Sequence, residues 1–585
     1  MTSEAKPTRL AMRAGLRRSL ASFPWYVLLV PLVPVTSMYA EAGGGLRPDE
    51  FARSAAAATI VAGGLFGTAC AIYRDAQKAA LLVSLAIVVF LAFDPLYAMI
   101  EDARIAGFRV ARRAIAIPAT YFLLALCAWR IRAIRRPLGP FTAFANVMAA
   151  GSLLLPALMI ARSSAGALTT DVPMLELPRV HRDVTDRPNI YYVVFDRYGD
   201  ERTMLQRGLD NAPFYEDLSG EGFYVARESR SNYLKTILSL ASSLNMSYLD
   251  PLAAAEGPDS ANWQPVYEWV RHSRVVRFLK SEGYRYVHAG SWYGPTATSP
   301  AADRHLNTFA TVPMAAMRLL DSELMTPVRR VVATPWLDAR LQQWHRVRWQ
   351  VDEVVARAGE PGPTFTFVHI LVPHSPFVFD ADGSYVTADE EARRTPNQNY
   401  VNQVQAANLF VRRLVDGILA SAASPPVIIL QGDEGPYPVG TGSGAGDYDW
   451  RTASAAQLQE KSGILNAFYL PGRTDAQLYP SISPVNSFRV VFNAYLGTRL
   501  ELLPDRVFGH ESERRPYVLF DVTDVVRPPS TPAPGPDTRA AHDVRSSAAG
   551  PIGFRPPGAC AAAGCSALSI SALSSAPTSS ANPDR

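Results

Sequence analysis

Five apolar stretches follow one another in the first third of the chain, near Phe23–Ala40, Ala55–Tyr73, Ala79–Ala98, Ala114–Trp129 and Phe141–Ile160. Each approaches the ~20 residues that a helix needs to cross a bilayer. Nothing else in the chain constrains its fold as much. Inside lipid every backbone N–H and C=O has to find its partner, and a single run of this length does so only as a helix. Buried helices of a soluble core are the competing reading, but five in succession with charged spacers between them do not fit it. The Ala114–Trp129 stretch is the shortest, and Phe23–Ala40 carries three prolines.

Basic residues orient such a bundle. Lys6, Arg9, Arg13, Arg17 and Arg18 precede the first stretch, Arg74 and Lys78 separate the second from the third, and Arg130, Arg132, Arg135 and Arg136 follow the fourth. With five spans these clusters share the cytoplasmic side, and everything after the fifth lies outside. The loop at Arg104, Arg109, Arg112 and Arg113 runs against this assignment. The first stretch also has the basic start and the Ala40-Glu41-Ala42 site of a signal peptide; its removal leaves the soluble part on the same side.

At 585 residues the chain is too long for one core. We divide it into a transmembrane part (1–162), a polar, proline-punctuated linker (163–187), an α/β domain (188–525) and a Pro/Ala/Ser-rich tail (526–585) too poor in apolar residues to fold. The net charge is +4, from 57 basic and 53 acidic residues scattered along the chain, which argues against a nucleic-acid partner. Of four cysteines, Cys70 and Cys127 lie in apolar stretches and Cys560 and Cys565 in the tail, so no zinc-finger or thioredoxin pattern forms.

Within 188–525, strand-like runs alternate with helical ones, the pattern of a largely parallel sheet. The run in NIYYVVFDRYGD is apolar on both faces and ends on Asp196. The run in FTFVHILVPHSPF ends on Pro373-His374-Ser375-Pro376, a histidine held on a stiff turn. VIILQGDEGP ends on Asp433 and Glu434. In open α/β sheets chemistry gathers at the carboxyl ends of the strands. Between the first two lies SRSNYLKTILSLASSLN, where Thr236 opens a helix whose N-terminal N–H groups favour an anion. Blander roles remain open, with Asp196 or Thr236 serving only as a helix cap. His369, inside its strand, reads as a core residue, and His288 and His305 as structural. Three carboxylates and a hydroxyl make a hard-oxygen site for Mn²⁺, Mg²⁺ or Ca²⁺.

Taken together, NIYYVVFDRYGD, SNYLKTILSLASSLN, HILVPHSPFVFDADG, LQGDEGP and SPVNSFRVVFNAYLG resemble membrane-anchored members of the alkaline phosphatase and sulfatase superfamily, such as lipoteichoic acid synthases and phosphoethanolamine transferases. The resemblance covers roughly 188–503. It implies about five spans followed by an extracytoplasmic (periplasmic) α/β/α sandwich at the inner membrane. It also implies hydrolysis or transfer of phosphate-linked groups of membrane lipids or lipid-linked envelope glycans. By this resemblance Asp196 matches the first metal-binding acid, Thr236 the covalently modified nucleophile, His374 the substrate-side histidine, and Asp433 the aspartate of an Asp-His-Gly metal motif. Glu434 stands in the place of that motif's histidine, which favours a harder ion than Zn²⁺, and one metal rather than two is implied. No Cys/Ser-x-Pro-x-Arg motif is present in which formylglycine could form, so phosphorus rather than sulfur is the expected centre. The rival expectation is a catalytically inactive scaffold or binding subunit of envelope assembly, supported by Glu434.

Overall fold

The computed structural model describes residues 23–41, 48–100, 104–105, 108–109, 112–169, 174–181, 187–306, 322–331, 338–438, 441, 448–473 and 476–527. The basic cluster 6–18, much of the glycine-rich stretch 435–446, part of the linker, and the tail from 528 lie outside the described residues.

Among the described residues four helices are long and apolar enough to cross a membrane, not five. They are α1 (Pro48–Tyr73), α2 (Ala76–Ile100), α3 (Arg113–Ala133) and α4 (Gly139–Thr169). The expected first span is shorter, Tyr26–Ala40, and its helix is interrupted between Leu29 and Leu32. Pro31 lies at that break and offers no N–H to carry the hydrogen-bond ladder through. Large apolar side chains on the long helices face outwards, Phe122 at 69% exposure and Val147 at 71%. That is the inverse of a water-soluble surface and suits a lipid surround.

The α/β part is built on a seven-stranded sheet. Its strands are β1 (Ile190–Phe195), β2 (Tyr224–Val225), β3 (Arg285–Ala289), β4 (Arg304–His305), β5 (Thr364–Ile370), β6 (Val427–Gly432) and β7 (Asn466–Tyr469). The order is β2-β7-β6-β1-β5-β3-β4. From β6 to β4 neighbouring strands are parallel; β7 and β2 close one edge antiparallel. β1 sits in the middle and every residue in it is buried. Its side chains divide by parity, as a pleated strand requires. Ile190, Tyr192 and Val194 enter a core with helices α5 (Thr236–Asn245) and α8 (Pro484–Tyr495). Tyr191, Val193 and Phe195 enter another with α6 (Ala339–Ala356) and α7 (Pro396–Ser421). Helices on both faces explain why β1 reads as a continuous apolar run rather than an alternating one.

Two helical segments are divided. Helices Glu201–Gln206 and Ala212–Gly220 are separated around Gly208 (φ 88°), a left-handed position that glycine adopts without strain. Helix Gln264–Arg271 is followed by Arg274–Ser281, which Ser273 caps with its side chain. A hairpin absent from the sequence reading, β8 (Phe508–Ser512) and β9 (Arg515–Asp521), packs beside the approach to α5, where Phe508 N–H donates to the Asn232 carbonyl at 2.9 Å.

Candidate metal and catalytic site

Register sets the site. Phe195 pairs with Gly432 and with Ile370, so Asp196 and Asp433 leave adjacent parallel strands at the same level, beside the end of β5. Tyr192, Val194 and Asp196 share a parity; so do Ile429, Gln431 and Asp433, and Phe365, Phe367 and His369. Tyr192, Val194, Ile429, Phe365 and Phe367 all belong to the α5-side core. Strand alternation therefore carries two aspartates and a histidine to one face, at the carboxyl edge. Gly432 makes room for the chain that leaves β1: a Cβ there would lie 2.5 Å from the Tyr198 carbonyl oxygen.

Asp196, His369 and Asp433 are all buried, and one ligand atom from each lies within 4.8 Å of the others. His369 Nε2 is 3.8 Å from Asp196 Oδ2. Asp196 Oδ1, His369 Nε2 and Asp433 Oδ2 are buried without a hydrogen-bond partner. Native proteins pair nearly all such atoms, because stranding one costs ~1–3 kcal/mol, and more when it is charged. Three ligating side chains gathered this closely, each with a buried atom that lacks a hydrogen bond, make the donor arrangement of a cation site, and the residue types fit one.

The neighbours are ordered around these groups. Asp433 Oδ1 accepts from the backbone N–H of Arg197 at 2.9 Å and of Glu434 at 2.8 Å. Arg197 reaches this position in the left-handed region, at φ 66°. Burial first, then the charge of Glu434, pushes the Asp433 carboxyl up to about 6, while hydrogen bonds from the Arg197 backbone and the Thr236 hydroxyl act in the opposite sense. Asp196 is held well above the usual carboxylate range by burial and by Asp433. Burial brings the His369 imidazole down to about 3, so it is neutral and its free nitrogen can act as a ligand.

Thr236 is the first residue of α5, following Lys235 in extended conformation. Together with Asp196, Arg197, His374 and Glu434 it lines a cleft of about 90 Å³. His374 is half-buried there, its Nδ1 against the Ser375 carbonyl, and burial followed by the Arg197 charge lowers its pKa well below the ordinary histidine value.

Of the residues singled out from sequence, the structure thus brings Asp196, Thr236, His374 and Glu434 to one cleft, with Asp433 buried against Asp196. Glu434, expected as a ligand, has one carboxylate oxygen paired with basic residues, while its Oε2 is buried without a hydrogen-bond partner. Its Oε1 lies 2.7 Å from the Lys461 ammonium and 3.3 Å from Arg197 Nε, and the Asp–His–Asp group forms without it. Lys461 is fully buried, and burial lowers its pKa to about 8 against the opposing pull of Glu434. His369, read from sequence as a core residue, takes the ligand-like place instead. Lys461 and the hairpin β8–β9, whose Glu513 pairs with Lys235, carried no signal in the sequence reading.

Among the described residues, four helices long and apolar enough to cross a membrane thus precede a mostly parallel sheet that carries this group at its carboxyl edge. No family model and no curated protein matches the chain. Among solved structures it is similar to the C-terminal periplasmic domain of EcEptC from Escherichia coli, with 13% identity and a TM-score of 0.36 over 59% of this chain and 96% of that one. A zinc complex of that domain aligns at 12% identity and a TM-score of 0.38, over 60% and 96%. A putative sulfatase from Bacteroides thetaiotaomicron aligns at 10% identity and a TM-score of 0.37, over 56% and 79%.

Proposed function

We propose that the chain is a metal-dependent hydrolase or transferase acting on phosphate-linked groups of membrane lipids or lipid-linked envelope glycans, through Thr236. The observation that carries this reading is the meeting of three buried ligand side chains, each with an atom that lacks a hydrogen bond, beside a cleft lined by a threonine at a helix N-terminus. Asp196, His369 and Asp433 hold the ion in this reading. The imidazole nitrogen widens the choice beyond the hard ions expected from oxygen donors alone, and Mn²⁺ and Zn²⁺ suit the mixed set best. Such an ion neutralises a phosphoryl oxygen and lowers the pKa of a hydroxyl beside it.

The remaining roles belong to the chain itself. Thr236 lines the cleft beside Asp196, at the N-terminus of α5. The N–H groups of the first turn of α5 favour negative charge growing there. Thr236 Oγ1 attacks phosphorus as its proton passes to neutral His374; the bond from phosphorus to the leaving oxygen breaks, that oxygen takes the proton from His374 and departs, and a phosphothreonine remains. His374, neutral again, takes the proton of the incoming water or acceptor hydroxyl as the phosphothreonine bond breaks, and returns it to Thr236 Oγ1. Arg197, its guanidinium over the Tyr437 ring at 4.4 Å, places positive charge at the cleft wall.

Thr236→Ala should abolish turnover of a chromogenic phosphodiester by at least ~10³-fold while leaving the melting temperature unchanged. Mass spectrometry of the trapped wild-type enzyme should locate the adduct on Thr236. An adduct on Ser231, Ser239, Ser242 or Ser243 would refute the assignment. The basic clusters support an inner-membrane protein whose α/β part lies outside the cytoplasm. A reporter fused after Gly472 should then work only if it functions outside; cytoplasmic reporter activity would reverse the orientation.

A further inference from the structure

One buried threonine stands directly behind the proposed metal site. Thr296 lies in the short helix Gly294–Ala297 and is completely buried. Its Oγ1 is 2.7 Å from His369 Nδ1, 3.2 Å from Ser291 Oγ and 3.4 Å from the Tyr293 carbonyl oxygen. The other histidine nitrogen, Nε2, is the one that faces Asp196 without a hydrogen bond.

The approach of this threonine to the strand end is built in. A Cβ at Gly290 would lie 2.2 Å from the Ala297 carbonyl oxygen and 2.4 Å from that of Thr296, so only glycine lets the Thr296 segment close on β3. Gln350 on α6 ties the two strands together through one amide nitrogen, which donates to the carbonyls of Ala289 at 3.3 Å, Gly290 at 2.8 Å and His369 at 3.2 Å. The Thr296 carbonyl is also used, by His288 Nε2 at 2.9 Å. The hydroxyl is therefore held within hydrogen-bond reach of one imidazole nitrogen from three sides.

We infer that Thr296 is a positioning residue for metal binding: it accepts the Nδ1 proton of His369, which fixes the tautomer that leaves a lone pair on Nε2 facing Asp196 and Asp433. The inference rests on the metal reading of that site. The Thr296 hydroxyl proton then goes to the Tyr293 carbonyl, so each hydrogen in the chain has one acceptor. Partners behind ligating histidines commonly govern metal affinity by 10- to 100-fold.

The test uses full-length, metal-stripped protein in detergent, titrated calorimetrically with Mn²⁺ and with Zn²⁺. Thr296→Val, which keeps the shape and loses the acceptor, should bind either ion ~10–100-fold more weakly than wild type at a comparable metal-free melting temperature. Thr296→Ser should restore affinity, a rescue that a purely structural role does not predict. Wild-type affinity in a folded Thr296→Val protein would overturn the inference, as would a serine variant as weak as the valine one. If the valine variant does not fold, Thr296→Ala carries the same expectation and the same overturning result. A wild-type protein that binds neither ion would remove the metal reading itself, and this inference with it, which separates the two failures.

Discussion

His288 and His369 sit on neighbouring parallel strands, on the same face of one sheet, and both are fully buried; the protein treats them in opposite ways. In the interior, His288 has both ring nitrogens engaged, Nδ1 with the Tyr286 hydroxyl at 2.7 Å and Nε2 with the Thr296 carbonyl at 2.9 Å. At the carboxyl edge, His369 has one nitrogen engaged by Thr296 and the other left toward two carboxylates that are themselves short of partners. The residue type is the same, and so is the burial. What separates a structural histidine from a candidate ligand is the number of hydrogen-bond places left empty, and whether those of its neighbours converge with it. The interior is closed chemistry, and the edge is open to one more atom.

The sharpest way to break this contrast is to remove each imidazole in turn. His369→Ala should weaken Mn²⁺ or Zn²⁺ binding by at least ~100-fold, since a ligand rather than its support is lost. His288→Ala should cost stability and leave ion affinity within a few-fold of wild type. Equal losses of affinity in the two variants would erase the distinction.

A smaller effect separates the two regions by the sign of their pH dependence in metal-free protein. Burial lowers the His288 pKa from 6.5 to about 4. Between these values the unfolded chain binds a proton that the folded one does not, so His288 contributes stability above pH 6.5 that is lost as pH falls toward 4, at most ~3 kcal/mol. Asp433 is displaced the other way, from 3.8 to about 6. Over that window the folded state holds the extra proton, and acidification through pH 6 stabilises it. Denaturant melts between pH 4 and 7 should therefore show a flatter acid limb in His288→Asn and a steeper one in Asp433→Asn. Matching changes in the two variants would contradict the assignment of opposite roles.

The acids of this edge were visible in the sequence; the contrast between its two histidines, both of which read as structural, was not, and the reason is physical. Asp196 and Asp433 announce themselves because buried apolar runs end on them, and a run that ends on a carboxylate has few purposes. His369 carries the same parity as Phe365 and Phe367, so its face was legible once that strand was drawn. Its partnership with Asp196 was not, because it depends on the pairing of Val194 with His369 across two segments far apart in sequence. Glu434 follows Asp433 directly and shares its sequence signal, but one of its carboxylate oxygens is held by Lys461, from a helix that no local pattern connects to it. Thr296 lay unremarked for the same reason. The spans were legible from composition; the shortening of the first reflects the break at Pro31.

The central claim is that the carboxyl edge of the sheet holds a divalent ion, and metal content tests it most directly. Full-length protein purified after loading with Mn²⁺ and Zn²⁺, and then analysed by elemental mass spectrometry, should carry one ion per chain. That ion should be absent from Asp196→Ala, His369→Ala and Asp433→Ala, and chelator should lower the wild-type melting temperature. Wild-type protein that retains no ion under these conditions, and melts at the same temperature with and without chelator, would contradict the account.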